Sequence, residues 1–133
     1  MRLVTGDNHL ISARDGVVIC QVWVREDLNA EQGAQNAKQL VDYLTGTALK
    51  RSPPYRGMIV DVRRGPPSFG PKTRQALVGL LDAAHAARVP VAILAGPEAT
   101  QVQQFSKLCA ARADAKVLDS EPAAVRWFAG GAR

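Results

Sequence analysis

Two short apolar runs constrain this chain more than any other feature: Met58-Ile59-Val60-Asp61-Val62, and Val91-Ala92-Ile93-Leu94-Ala95 after Arg88-Val89-Pro90. A strand wetted on one face alternates polar and apolar residues, whereas one covered on both faces reads as a nearly continuous apolar run. Between the runs lies a helical pattern. Leu77, Leu80, Leu81, Ala84 and Ala87 recur at three- and four-residue steps, with Pro71 suited to the first turn and Arg88 at the end. A helix joining two buried strands returns the chain to the same edge, so the strands run parallel. These stretches therefore predict an α/β fold with residues 58–62 and 91–94 central.

The flanking sequence extends this unit. Arg14-Asp15-Gly16 separates two apolar stretches, 8–13 and 17–24, and reads as a hairpin, since Asp-Gly suits a turn with positive φ. Asn29 followed by Gln32 fits a capping box. From it runs a helix with Ala30, Ala34, Ala37, Leu40, Val41 and Leu44 on one face, which Gly46 would end in a left-handed cap. Pro97 opens a helix with Val102, Phe105, Leu108 and Cys109 inward. Residues 116–118 form a brief strand, and Ser120 caps a last helix packing through Val125 and Phe128 or Trp127. The expected architecture is a mixed sheet of about five strands, with an N-terminal hairpin and about four helices. One domain fills residues 1–133, its core at about 8–129.

A chain of 133 residues with 47% apolar and 22% charged residues buries enough surface to fold without disulfide or metal. No apolar run approaches a membrane span, and the first nine residues lack the apolar core of a signal peptide. The cytoplasm is the expected compartment. There Cys20 and Cys109, each in an apolar pattern, are expected to be reduced and buried. Two cysteines with the distant His9 and His85 have no zinc spacing, so no metal or other cofactor is expected.

The net charge is +5, and it is unevenly placed. Residues 50–74 hold Lys50, Arg51, Arg56, Arg63, Arg64, Lys72 and Arg74 against Asp61 alone. Such clustering suits an acidic partner or an anion if the residues share a face. Only Tyr55 and Phe69 accompany these cations, too few aromatics for a base-stacking platform, which argues against nucleic acid. Arg63, Arg64, Lys72 and Arg74 flank the predicted helix start at Pro71, where free N–H groups and the helix dipole add positive potential.

Taken together, the element order over about residues 8–129, the strand Gly57-Met58-Ile59-Val60-Asp61-Val62, the strand Arg88-Val89-Pro90-Val91-Ala92-Ile93-Leu94 and the closing Lys116-Val117-Leu118-Asp119-Ser120-Glu121-Pro122-Ala123-Ala124-Val125-Arg126-Trp127-Phe128 resemble the STAS domain. Within it, the chain is similar to the SpoIIAA-like set of anti-sigma-factor antagonists. The resemblance implies a cytoplasmic, non-enzymatic regulator that docks on a signalling partner such as a kinase-type anti-sigma factor. It also implies a phosphorylatable serine at the start of the helix after the central strand. Ser68, in Ser68-Phe69-Gly70-Pro71, is the candidate phosphoacceptor. It departs from the family's Asp-Ser-Ser-Gly pattern in having no acidic residue before it and a proline at the helix start. The fold also resembles lipid-binding Sec14-type domains in outline, which implies a small anionic ligand or lipid as the alternative.

The residues themselves offer no enzyme. Asp61 ends a parallel strand, where α/β sites lie, but no histidine stands in the adjacent loop to act with it. There is no Gly-x-Ser-x-Gly elbow and no phosphate-binding glycine-lysine loop. Asp61 is expected to bond loop N–H groups or to pair with Arg63 or Arg64. The expected recognition surface is therefore Arg63, Arg64, Ser68, Phe69, Lys72 and Arg74, facing an acidic protein. A second copy of the chain could also use Phe69 as a dimer contact.

Overall fold

In the computed structural model, which describes residues 2–25, 27, 29–65, 70–96 and 99–130, the two apolar runs are neighbouring parallel strands inside a sheet. The strands are β1 (Arg2–Thr5), β2 (His9–Arg14), β3 (Val17–Trp23), β4 (Gly57–Arg64), β5 (Val91–Leu94) and β6 (Ala115–Leu118). They lie side by side in sequence order. The first three pair antiparallel and the last four pair parallel. The helices are α1 (Ala30–Gly46), α2 (Pro71–Ala86), α3 (Ala99–Cys109) and α4 (Glu121–Ala129), with a 3₁₀ turn at Ala48–Lys50.

The sheet thus has six strands among the described residues where the sequence predicts five. The added one, β1, is a short edge strand whose Leu3 and Val4 are only half-buried. Four residues with one apolar pair carry too little alternation to be read as a strand, and it is pairing with β2 that makes them one. The expected hairpin forms between β2 and β3. Asp15 and Gly16 both have positive φ, 55° and 77°, the requirement of the tight turn that matches strand twist.

Helix α1 starts with the expected capping box. Gln32 N–H donates to Asn29 Oδ1 at 2.8 Å and Asn29 N–H to Gln32 Oε1 at 2.9 Å. Its end differs from expectation. The helix runs through Gly46, and Thr47, with φ −125°, is the cap, its N–H bonding the Tyr43 carbonyl. Helix α2 opens as expected, with Gly70 as the cap and Pro71 in the first turn. Pro97 lies outside the described residues.

The sheet has two unequal faces. One is covered by α1, α2 and α3. There Val18, Cys20, Met58, Val60, Val62 and Ile93 meet Leu40, Leu44, Leu77, Leu80, Leu81 and Phe105. The other face is covered by α4, whose Ala124, Trp127 and Phe128 pack on Val17, Ile19, Ile59, Ala92 and Leu94. Val125, expected to pack, instead faces outward and is 42% exposed. Gly57 lets α4 approach, because a Cβ there would stand 2.4 Å from the Phe128 ring. Cys20 and Cys109 are free and buried. Burial, with the nearby charge of Asp61, pushes the Cys20 thiol far above its ordinary pKa. Burial also raises Cys109, against the opposing pull of Arg112.

Candidate functional site

In a right-handed crossover, the helix after a parallel strand begins at that strand's C-terminal end, so loops and helix starts gather there. At that end β3 and β4 do not stay in register. Gln21 pairs with Asp61, but Trp23 pairs with Arg64, so β4 carries one extra residue. A bulge of this kind re-aims the side chains beside it. It brings Val22, Trp23 and Val24 together along the mouth of a groove of about 780 Å³. The floor is sheet, from Val60 and Val62. The walls are Ala34, Ala37, Leu40 and Val41 of α1 and Leu77 of α2. Ala34 and Ala37, in the first half of α1, are too small to fill the space between that helix and the sheet. Val24, at the rim, is 50% exposed. Asn36 is the buried polar residue of the wall, its side-chain amide donating to the Gln32 carbonyl at 2.9 Å. The volume and apolar walls fall within the range of small-molecule or side-chain binding clefts.

The predicted site residues separate into three groups. Arg64, Lys72 and Arg74 are exposed and make no ion pair among the described residues. Lys72 lines the groove itself. Arg64 lies beside Val24, whose N–H bonds the Arg64 carbonyl at 3.0 Å, and Arg74 sits in the first turn of α2, its N–H on the Gly70 carbonyl. Arg63 is different. Its Nε donates to Asp61 Oδ1 at 2.9 Å and its Nη2 to Asp61 Oδ2 at 2.8 Å, a two-pronged pairing. The Arg63 backbone N–H also reaches Asp61 Oδ1 at 3.1 Å, and Nη1 reaches the Asp119 carbonyl at 3.4 Å. The hydrogen bond to Asp61 raises the Arg63 pKa against the cost of partial burial. Arg63 is thus not an unpaired cation: its guanidinium is held by a buried carboxylate. The pairing of Asp61 with Arg63 is one that the sequence predicts. Ser68 and Phe69 lie outside the described residues.

The basic window is also not one face. β4 lies between Arg56 and the 64–74 cations, and its eight residues span about 26 Å. Lys50, Arg51 and Arg56 stand at the opposite end of the sheet.

Gln101 went unnoticed in the sequence. It is 1% exposed. Its Nε2 donates to the Val62 carbonyl at 2.8 Å, and Gly96 N–H donates to its Oε1 at 2.7 Å. One side chain of α3 thus ties together the ends of β4 and β5. One of three glutamines in a polar-looking helix carries no signal of this. Among the described residues no group of three or more His, Cys, Asp or Glu is placed to hold a metal ion. No helix there is long and apolar enough to cross a membrane.

No protein-family model and no curated protein matches the sequence. Among solved structures, the Thermotoga maritima protein TM1081 matches both as determined by NMR and as a crystal structure, where it is provisionally described as an anti-sigma factor antagonist. Each superposes with a TM-score of 0.65 at 18% identity over 90% of this chain, covering 86% of the NMR chain and 92% of the crystal chain. This chain therefore has the mixed α/β fold of TM1081.

Proposed function

We propose that this chain is a non-enzymatic docking module of a regulatory system, which binds an acidic protein partner at the C-terminal end of its parallel strands. The observation that carries this reading is the juxtaposition there of an apolar groove with the unpaired cations Arg64, Lys72 and Arg74. Apolar side chains of a partner would fill the groove, while the rim charges would steer approach and fix orientation. The shared fold with a protein provisionally described as an anti-sigma factor antagonist supports a regulatory role over a catalytic one. So does the state of Asp61, near the end of β4, whose carboxylate is already occupied by Arg63. Ser68, beside this groove in sequence, is the proposed phosphoacceptor for switching the contact.

The test is capture of partners from native lysate on the wild-type chain and on Arg64→Glu/Lys72→Glu. A protein retained by the wild type and lost from the double variant supports the reading. Equal retention on both places the recognition surface elsewhere.

The groove's volume favours a second reading, a small amphiphilic anion with its apolar part against Leu40, Val41 and Leu77 and its charge at Lys72. Native mass spectrometry of the purified chain distinguishes it, through a bound mass that Lys72→Glu removes.

A further inference from the structure

The end of the sheet opposite the groove gathers cations that the sequence scatters. Arg56 N–H bonds the Gly16 carbonyl at 2.7 Å, and Met58 N–H bonds the Pro90 carbonyl at 2.9 Å. These two bonds draw the 14–16 hairpin, the 50–56 connector and the 87–90 turn into adjacent positions. Lys50, Arg51, Arg56 and Arg88 are all exposed there. None of them makes an ion pair among the described residues. Arg56 instead bonds the Asp15 backbone carbonyl, and Arg51 lies over the Tyr55 ring at 4.2 Å. Of the carboxylates nearby, Asp114 lies 2.8 Å from His85 Nδ1 and Asp82 pairs with Arg112 at 2.6 Å, while Asp15, beside Arg56, is exposed and makes no ion pair among the described residues, so the cations there outnumber the open carboxylates.

We infer that this end is a second, separate binding surface, and that its partner is the phosphodiester backbone of a nucleic acid. Three of the four free cations are arginines, whose planar fork matches phosphate oxygens. Arg56 and Arg88 precede neighbouring strands, which lie about 4.8 Å apart. The positive charge is therefore set along the sheet end as a row, the arrangement that a linear polyanion meets. A protein partner would need an apolar centre. The 50–56 connector offers only Pro53 and Pro54 exposed, with Tyr55 buried beneath Arg51. The scarcity of aromatics excludes base stacking but not phosphate contact, which needs only charge.

The test uses a fluorescein-labelled DNA duplex of about 20 base pairs, with affinity measured from about 20 to 150 mM salt. Four phosphate contacts give a slope of log affinity on log salt of about −3 to −4. Lys50→Gln/Arg88→Asn removes two cations and keeps a residue that tolerates the left-handed backbone at 88, where φ is 60°. It should make the slope shallower by about 2. Lys72→Gln/Arg74→Gln, at the groove end, should leave it unchanged, which separates this surface from the one proposed above. Circular dichroism of each variant confirms that it is folded. Four results overturn the inference: no binding at the lowest salt, an unaltered slope in Lys50→Gln/Arg88→Asn, an equal loss in both variants, or binding to phosphatidylserine vesicles without binding to the duplex.

Discussion

Arg63 and Arg64 are adjacent in sequence and do different work. Arg63 satisfies a carboxylate that is 6% exposed, while Arg64 is exposed and makes no ion pair among the described residues. Removing one member of a buried pair strands the other, at about 3–5 kcal/mol when both are fully buried. The Arg63 side chain is 38% exposed and the backbone still donates to Asp61, so Arg63→Ala should cost less, about 1–3 kcal/mol. Arg64→Ala should change stability by less than about 0.5 kcal/mol. Urea denaturation of the two variants checks this, and equal midpoints would refute the division. Gln101→Leu, similar in size, strands the Gly96 N–H and leaves the Val62 carbonyl with only the Gly65 N–H, and should cost about 1–3 kcal/mol by the same measurement. His9 gives a pH dependence. Burial lowers its pKa below 6.5, although the charge of Asp7 pulls the other way. The folded chain then binds fewer protons than the unfolded one. Its stability is complete above pH 6.5 and declines as the pH falls below that toward the folded value. His9→Gln should flatten the fall in denaturation midpoint between about pH 6.5 and 5, and an unchanged profile would show that other groups cause it.

At the scale of elements, β4 has a paired strand on each side and helices on both faces, so its amides should exchange among the slowest in the chain. Those of β1, paired on one side only, should exchange far faster. Hydrogen exchange read by NMR checks the order, and β4 amides exchanging as fast as those of residues 50–56 would refute the central placement. This ranking was legible in sequence because double burial leaves a continuous apolar run at 58–62. The helix starts were legible too, since Asn29 with Gln32, Pro71 and Ser120 act on backbone groups a few residues away. Strand β1 was not, because its order comes from β2. The bulge between β3 and β4 was hidden for a related reason: register is a property of two strands, which neither strand's own pattern carries. The Asp61 pairing could be anticipated from a carboxylate two residues before an arginine at a strand end. The splitting of the basic window could not, because seven cations within 25 residues look clustered until a strand's length is placed through the middle.

Across the whole molecule, the two ends of the sheet are distinct in chemistry. At the C-terminal end of the parallel strands, Arg63 and Arg25 are paired with Asp61 and Asp27, and the exposed Lys72 lines an apolar groove together with Glu31, with Arg64 and Arg74 exposed in neighbouring segments. At the N-terminal end, free cations surround no comparable groove; the small cavity there, of about 150 Å³, is edged by Arg14, Arg56 and Glu121. Charge reversal should therefore affect binding differently at each end. At the groove rim it should act mainly on the association rate of the protein partner and on its salt dependence. The central claim, that partner recognition belongs to the groove end, is tested most directly by NMR. The isotope-labelled chain is titrated with the protein captured from lysate. The account predicts amide shifts concentrated in residues 22–25, 29–37, 64 and 70–74, with residues 50–56 and 87–90 unmoved. Shifts confined to α4, or to the opposite end of the sheet, would contradict it.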